Sequence, residues 1–540
     1  MKMVSAFLVV CIFVLSYNGI VFSKNMQNYD YVIITTDDLQ NSLINFTQWK
    51  ETMGYNVKTV TTSWIESNYK GNDIQEKIRN FLIDKYEEWG INYVLIAGSR
   101  NKIPMRECYP LRDYHENDYM VPTDYYYADL TGDWDGDGDS YFGEITQDKP
   151  DFYPEVYVGR MPSDDTDKMK SMCERIINFE KNNGAWKKNV LLLGAIIFYE
   201  NQSQAGYKLH RSDGATLMEE CRKDIFEPNG LLCTTMYEKK GIRPSIYEYD
   251  YPLNHSNVLS EWKKGYGIVN MLGHASNVQI DRLVWDHDDG NNIPEYPGEL
   301  KYIPFLRGSD SDDLSIEKPP IVYTSGCYQL WTSRNIGRVF MEDGAAVAFI
   351  GSTAGSWYNI SLIWNNEDDG GTYSINYYFF YYLINYHQKC GNALYNSKEY
   401  YYNNFIFTRN NREWIFRCYD NLYGFNLYGD PSMGLSNEKV DANPPEVSIQ
   451  QPENGIYIFG NKIIPFPVPL IIGSINVKAT VSDESGIERV EFYLENHLKA
   501  SMEKEPYEWE YNGIGFHKIK VVAIDSNGNI GGAEINVFSL

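Results

Sequence analysis

The stretch "IQEKIRNFLIDKYEEWGINYVLIAG", residues 74–98, combines the two patterns that decide the fold. Its first sixteen residues repeat apolar side chains at helical spacing, and a continuous apolar run follows Gly90. An amphipathic helix that leads into an apolar strand is typical of a parallel sheet covered by helices. We therefore predict an α/β fold, with a helix over 74–89 and a buried strand that ends at Gly98.

Strands and helices alternate on both sides of this stretch, which predicts two consecutive α/β units over 30–185 and 186–440. An irregular Asp- and Tyr-rich segment interrupts the first unit at about 108–152. The predicted helices lie at 38–53, 74–89, 165–182 and near 206–222. The predicted strands are "YDYVIITT" (29–36), "YNVKTVTT" (55–62), "INYVLIAG" (91–98), "EVYVGRMP" (155–162), "NVLLLGAIIFYE" (189–200), "GIVNMLGH" (267–274), "PPIVYTSGC" (319–327) and "AAVAFIGST" (345–353).

The C-terminal hundred residues have a different residue pattern. A polar segment with a double proline, "NEKVDANPPEVSI" (437–449), is followed by short alternating strands with turn signals about every ten residues. We predict an immunoglobulin-like β-sandwich over 444–540. It contains no catalytic constellation, so we expect an accessory domain, with a cell-surface ligand as one possible partner.

The N-terminal residues predict export. One lysine precedes an apolar run from Val4 to Tyr17, and small residues follow, which is typical of a signal peptide over 1–23. An uncleaved anchor is the alternative, although the run is short for a membrane span. The formal net charge of −25 disfavours nucleic-acid or anionic-membrane partners and favours cation binding. We expect a secreted or cell-surface protein.

The eight cysteines indicate at least one free thiol. Cys11 lies in the predicted signal peptide, and the other seven are scattered without paired C-x-x-C spacing. This pattern predicts neither a zinc site nor a dense disulfide framework. An odd number cannot pair completely within the chain. No redox or organic cofactor is expected.

Two residues with catalytic chemistry end neighbouring predicted strands at small-residue turns. His274 follows "GIVNMLG", and Cys327 follows "PPIVYTSG". Because side chains at the carboxyl ends of parallel strands share one edge of the sheet, we expect the two to converge. An imidazole beside a thiol can take its proton and return it to a leaving amine. The main-chain N–H groups of Cys327 and Ala275 are candidates for holding an oxyanion. A buried structural cysteine and a core histidine are the alternative.

Four ordered motifs then resemble those of gingipain-type cysteine peptidases, which have a caspase-like three-layer α/β/α fold. The resemblance covers about residues 30–440. The motifs are "LGHAS" (272–276), "SGCYQLW" (325–331), "AAVAFIGSTAGSWYN" (345–359) and "LYGDPSM" (427–433).

The resemblance implies a role for each matching residue. Cys327 would be the nucleophile and His274 the general acid/base, with Glu200 supporting the site by orienting the imidazole. Trp357 would line the primary specificity pocket. Two departures limit the match: Ala275 replaces a glycine of the family, and the pocket loop "NQSQAGYKLHRSDG" (201–214) has Asp213 as its only acid. Arginine specificity is therefore not carried over.

The segment "DLTGDWDGDGDSYFGE" (129–144) predicts a calcium loop. It matches the pattern D-x-D-x-D-G-x₅-E, in which alternate oxygens surround a hard cation and a glycine permits the sharp turn. A solvated acidic turn is the alternative, and flanking helices are not evident. We expect a structural Ca²⁺ held by Asp133, Asp135, Asp137, Asp139 and Glu144.

A second acidic segment, "WDHDDG" (285–290), places His287 among aspartates. It is either a metal-hydrolase cluster or an exposed acidic loop, and the loop is favoured because no His-rich partner segment accompanies it.

We predict a secreted cysteine endopeptidase that hydrolyses protein or peptide substrates through a thioester acyl-enzyme. The competing hypothesis is a non-catalytic surface or adhesion protein that retains the fold.

Overall fold

The structure is a computed structural model that describes residues 28–540 except 111–118, 205–206, 209, 316, 359–368, 407–411, 436–440 and 496. The predicted signal peptide lies outside the described residues. Among them, no helix has both the length and the apolar character needed to cross a membrane.

Twenty strands belong to the described part of the α/β region. They are β1 (Tyr31–Thr35), β2 (Val57–Thr61), β3 (Tyr93–Ala97), β4 (Arg106–Cys108), β5 (Val121–Thr123), β6 (Tyr157–Met161), β7 (Asn189–Gly194), β8 (Ile196–Phe198), β9 (Ser203–Gln204), β10 (Tyr207–Lys208), β11 (Ser212–Asp213), β12 (Leu232–Tyr237), β13 (Tyr251–Pro252), β14 (Ile268–Leu272), β15 (His274–Ala275), β16 (Gln279–Trp285), β17 (Leu300–Arg307), β18 (Ile321–Thr324), β19 (Ala348–Ser352) and β20 (Phe425–Tyr428).

The helices of the same described residues pack along this sheet. They are α1 (Ile44–Thr52), α2 (Thr62–Asn68), α3 (Ile74–Trp89), α4 (Thr166–Lys181), α5 (Gly214–Glu220), α6 (His255–Trp262), α7 (Ser311–Leu314), α8 (Ile336–Asp343), α9 (Gly371–Asn385), α10 (Cys390–Asn404) and α11 (Arg412–Gly424).

Both predicted α/β units share one central sheet, in the order β13-β12-β7-β14-β18-β19-β20-β6-β3-β1-β2. Its strand pairs are parallel except β19 with β20. The two halves therefore run in opposite directions and meet at β20. The α/β fold class predicted from the alternation is confirmed.

Local signals place α3 at the predicted bounds. Asp73 accepts a hydrogen bond from the Glu76 N–H at 2.8 Å, and Gly90 ends the helix with φ +68°. The helix expected near 206–222 differs, because it begins only at Gly214. Three short strands, Ser203–Gln204, Tyr207–Lys208 and Ser212–Asp213, precede it instead, and the Asp213 carboxylate caps α5 by accepting from the Ala215 N–H.

The C-terminal region is a β-sandwich, as predicted. A three-stranded sheet (β21-β25-β28) faces a seven-stranded sheet (β23-β22-β24-β30-β29-β26-β27) across a separate apolar core. The strands are β21 (Glu446–Gln451), β22 (Ile456–Ile458), β23 (Asn461–Ile464), β24 (Leu470–Ile472), β25 (Ile475–Ser482), β26 (Ile487–Leu494), β27 (His497–Met502), β28 (Glu508–Tyr511), β29 (Gly515–Asp525) and β30 (Ile530–Ser539).

The outer face of the seven-stranded sheet docks on the α/β region. Val522, Ile524 and Ile530 join the large core of that region rather than the sandwich core. Nearby, Gln388 donates to the Asn527 carbonyl at 2.7 Å. The contact is thus both apolar and hydrogen-bonded.

Candidate active site

Two neighbouring strands bring His274 and Cys327 to the same edge of the sheet. β14 and β18 are parallel, with Met271 opposite Thr324. His274 lies three residues after Met271, and Cys327 lies three residues after Thr324. The Ser325 N–H continues the pairing by donating to the Met271 carbonyl at 3.1 Å. The strand register therefore places both residues at one edge of the sheet.

The two turns touch at Gly326. A β-carbon on this glycine would lie 2.6 Å from the Ala275 β-carbon and 2.9 Å from the Gly273 carbonyl oxygen, so a side chain does not fit. Ala275 carries the methyl group that replaces the family's glycine. Ala275 can carry this methyl group because Gly326, which faces it, has no side chain.

His274 is oriented by a main-chain carbonyl. Its Nε2 lies 2.8 Å from the Ile197 oxygen, and since a carbonyl only accepts, Nε2 carries the proton. The neutral imidazole then has Nδ1 as its basic nitrogen. The rings of Phe198 and Tyr302 stand edge-on to it at 5.7 and 4.9 Å. Burial lowers the pKa of His274, because the imidazolium form loses hydration.

Glu200 contacts groups other than the His274 imidazole in the described part of the chain. Its Oε2 accepts from the Arg211 main-chain N–H at 3.1 Å and lies 3.9 Å from His210 Nδ1. Among the described contacts, the Ile197 carbonyl, not this carboxylate, orients His274. Ile197 escaped the sequence analysis because a main-chain acceptor leaves no side-chain signature.

Cys327 occupies a tight turn. The Ser356 N–H donates to its Sγ at 3.3 Å. Burial raises the pKa of the Cys327 thiol, and the Ser356 hydrogen bond partly opposes that effect. Tyr328, the next residue, has φ +62°, which is uncommon for an aromatic residue and marks a constrained turn. Within the described part of the chain, the Cys327 N–H donates to no acceptor.

Trp357 directly follows Ser356, the residue whose N–H contacts the thiol. Its ring is half-buried, and the Arg417 guanidinium lies over it at 3.7 Å from the ring centroid. Trp357 therefore lies one residue from the N–H that faces the thiol, and its role in a substrate pocket stays a prediction.

A cavity of about 250 Å³ adjoins the predicted pocket loop, lined by Arg211, Asp213 and Tyr373 among others. The carboxylate of Asp213 is already engaged, since it accepts from Arg211 at 3.3 Å and from the Ala215 N–H at 3.1 Å. Tyr373 stacks on Tyr358 at 4.9 Å, which links the cavity to the residue after Trp357. The only acid of the predicted pocket loop is thus partly neutralised.

The predicted calcium loop brings together three of its five residues. Oxygen atoms of Asp135, Asp137 and Asp139 lie within 4.8 Å of one another, and Gly138 makes the turn with φ +76°. Asp133 instead pairs through its main chain with Lys149, by hydrogen bonds of 3.0 and 2.7 Å. The clustered carboxylates are hard oxygen ligands of the kind that calcium prefers.

Glu144, the last residue of the calcium pattern, is buried beneath the loop. It is 1% exposed, and its N–H donates to Asp148 at 2.9 Å. Burial raises the pKa of Asp148 to about 6. The loop therefore places several acids close together in partly dehydrated surroundings.

The second acidic segment lacks the geometry expected of a histidine metal site. In the described residues, Asp288, Asp289 and Glu299 form a group without His287. The His287 side chain is 62% exposed and lies 3.9 Å from Asp286. The exposed-loop interpretation fits this arrangement.

The fold and the paired strand-end turns define a caspase-like α/β protein with a thiol and an imidazole at one edge of its sheet. Residues 24–436 match Peptidase family C25, and residues 445–521 match a bacterial Ig domain. The chain therefore belongs to Peptidase family C25. The resemblance inferred from its motifs is confirmed.

Among known proteins, the chain is similar to gingipains of Porphyromonas gingivalis. It is 21% identical to gingipain R1 and 20% to gingipain R2 over 258 residues, 47% of this chain. The chain spans only 21% and 28% of the length of these relatives.

Solved structures show the fold over nearly the whole chain. The Arg specific cysteine proteinase gingipain R matches 96% of this chain and 99% of its own, with a TM-score of 0.51 and 14% identity. The complex of the RgpB pro- and mature domains gives the same score and identity over 94% of this chain and 100% of its own.

Proposed function

We propose that this protein is a secreted cysteine endopeptidase in which Cys327 and His274 form a catalytic dyad. The observation that carries the proposal is the contact of the two strand-end turns at Gly326, together with the orientation of His274 by Ile197. Membership of Peptidase family C25 supports the same chemistry. A purely binding scaffold has no need of this pair of groups.

The chemistry follows from the orientation of the imidazole. His274 Nδ1 takes the thiol proton while Cys327 Sγ bonds to the substrate carbonyl carbon, and the carbonyl π electrons move to oxygen. The N–H groups of Cys327 and Ala275 would hold that oxyanion. When the oxyanion collapses, the C–N bond breaks and His274 protonates the departing amine. A thioester to Cys327 remains.

Hydrolysis reverses the roles. A water molecule gives a proton to His274 Nδ1 and bonds to the thioester carbon. The C–S bond then breaks, the sulfur recovers its proton from His274, and a carboxylic acid leaves. No metal or organic cofactor takes part in these steps.

The resting dyad is a neutral thiol beside a neutral imidazole. Burial raises the pKa of Cys327 and lowers that of His274, so both shifts disfavour a preformed thiolate–imidazolium pair. Proton transfer therefore accompanies the attack on the substrate.

Cleavage of a mixed peptide library tests the proposal. Cys327→Ala should abolish cleavage, whereas Cys233→Ala, a change at another partly exposed thiol, should retain it. Equal cleavage by wild type and Cys327→Ala would overturn the dyad. If the folded wild type cleaves nothing, the adhesion hypothesis replaces the peptidase.

A structural calcium ion in the loop at 129–144 is part of this proposal. The cluster of Asp135, Asp137 and Asp139 supports it, with Glu144 buried alongside. Asp133 lies outside this cluster of three carboxylates. The ion would reduce repulsion among the carboxylates and is given no role in the chemistry.

The proposal that the protein is exported depends on its signal-like N-terminus. The N-terminal sequence of the protein recovered outside the cell tests it.

For the Ig-like domain, we propose an apolar surface ligand. The registers of five strands align one row on the outer face of its large sheet, with Phe516 68% and Ile464 51% exposed. The row runs Ile464, Ile456, Leu470, Phe538, Phe516. Phe516→Ser should reduce cell binding but leave peptide cleavage unchanged.

A further inference from the structure

Helix α11 presents three side chains to Trp357. Arg417, Asp420 and Asn421 are spaced i, i+3, i+4, so they share one face of the helix. Arg417 covers the Trp357 ring, and Asp420 Oδ2 accepts from the indole Nε1–H at 2.9 Å. The ring is therefore held at its face and at its edge.

Asn421 holds the main chain of the same residue. Its Oδ1 accepts from the Trp357 N–H at 2.8 Å, and its Nδ2 donates to the Trp357 carbonyl at 2.7 Å. Asn421 is fully buried. A planar amide that satisfies both main-chain groups of one residue fixes the orientation of the two adjoining peptide units. The first of those units joins Ser356 to Trp357.

Ser356 connects this clamp to the nucleophile. Its N–H donates to Cys327 Sγ at 3.3 Å, and its Oγ lies 3.0 Å from the Ser325 carbonyl oxygen and 2.8 Å from Thr372 Oγ1. The segment 355–357 thus spans the space between the thiol and α11. A shift of Trp357 would move the N–H that faces the sulfur.

We propose that Asn421 is a positioning residue for the thiol: by holding both main-chain groups of Trp357, it keeps the Ser356 N–H directed at Cys327 Sγ. The inference builds on the proposed peptidase, since it assigns a role around the same nucleophile. A hydrogen bond to sulfur favours the thiolate that forms during attack. Asn421 touches neither the thiol nor the histidine in the described contacts, so its action is indirect.

The test is the pH dependence of alkylation of Cys327 by iodoacetamide in the folded full chain, followed by mass spectrometry of the Cys327 peptide. Loss of one hydrogen bond to a charged group corresponds to roughly tenfold in the thiolate population. Asn421→Ala should therefore slow alkylation at neutral pH about tenfold and move the midpoint of the profile upward by about one pH unit.

Asn426→Ala is the matched control. Asn426 is also buried and hydrogen-bonded on both sides of its amide, to the Asp124 N–H and to the carbonyls of Tyr423 and Gly424. It should lower the thermal stability without moving the alkylation midpoint. An unchanged midpoint in Asn421→Ala, or an equal shift in Asn426→Ala, would overturn the inference. If Asn421→Ala does not fold, Asn421→Asp, which keeps the acceptor but loses the donor, takes its place with the same expected direction.

Alkylation requires no substrate, so the two proposals fail separately. If the wild type cleaves no peptide but Asn421→Ala shifts the alkylation midpoint, the positioning role stands and the peptidase proposal falls. If the wild type cleaves and the midpoint does not move, the peptidase stands and the positioning role falls.

Discussion

The dyad and the acidic loop are built in opposite ways. His274 and Cys327 are 53 positions apart, and their partners are main-chain groups of Ile197 and Ser356 from other segments. Asp135, Asp137 and Asp139 instead cluster within five consecutive residues around one turn. We therefore expect substitutions that disturb the packing of the strands around the dyad to alter the chemistry. Substitutions in the acidic loop should alter only the stability of the protein.

The largest expected effect comes from Gly326→Ala. The added methyl group would collide with Gln329 Nε2, the Ala275 β-carbon and the Gly273 carbonyl, so these groups must move apart, at a cost typical of overpacking, about 1–3 kcal/mol. We expect kcat/KM to fall about a hundredfold or more, because a small misplacement of reacting groups is costly. Peptide cleavage assays of the folded variant measure this.

A second substitution sharpens that result. Ala275→Gly should partly restore activity to Gly326→Ala, because it removes one of the groups that crowd the added methyl group, while Gln329 and the Gly273 carbonyl remain. If the double variant is no better than Gly326→Ala, the Ala275 methyl group does not explain the loss.

The next effect concerns substrate choice. Arg211→Ala removes the guanidinium that neutralises Asp213 in the adjoining cavity. We expect the preference for a basic over a neutral side chain before the scissile bond to rise up to about fivefold, because a partly exposed ion pair contributes up to about 1 kcal/mol. Competition between matched Lys and Leu peptides measures it, with Lys208→Ala as the control. An unchanged ratio would separate this cavity from substrate recognition.

Removal of calcium should lower stability rather than change the chemistry. A ligand present at 100 times its Kd contributes about 2.7 kcal/mol, so a chelator should lower Tm by a few degrees. Asp137→Asn should lose most of this response, whereas Asp288→Asn in the other acidic segment should keep it. If chelation abolishes cleavage while the protein stays folded, the contrast between the two sites is wrong.

The smallest effect is a shift in the acid limb of the pH profile. The base must be neutral, and burial lowers the pKa of His274, so activity should persist below pH 6.5, the ordinary value of an imidazole. Phe198→Ala should expose the ring and move the acid limb of kcat/KM upward. A limb that stays in place would show that Phe198 does not set the burial of His274.

Sequence patterns were most informative where the determining contacts are local. Helix α3 follows from its spacing, the Asp73 cap and the Gly90 ending, all within eighteen residues. The strands that end near His274 and Cys327 were predictable because their apolar runs are continuous. The start of the helix near 206–222 was misplaced because β9, β10 and β11 form strand pairs that could not be inferred from local spacing.

The residues around the dyad were likewise predictable only where the sequence carries a local signal. Cys327 and His274 stand out because of their residue type and small-residue turns. Asn421 has neither signal, and its importance depends on the fold bringing α11 against Trp357. Glu200 was assigned by resemblance, and the orienting contact instead comes from the Ile197 carbonyl.

By itself, the sequence determined the α/β alternation, the β-rich C-terminal domain, the two reactive side chains and the acidic loop, since each is encoded in residue type and short-range spacing. The tertiary structure alone decided that the two turns touch at Gly326, which nitrogen of His274 is protonated, and which N–H faces the thiol. Those features depend on main-chain groups brought together from distant segments, and every residue carries the same main-chain groups. Their placement therefore appears only when the strands and helices are packed.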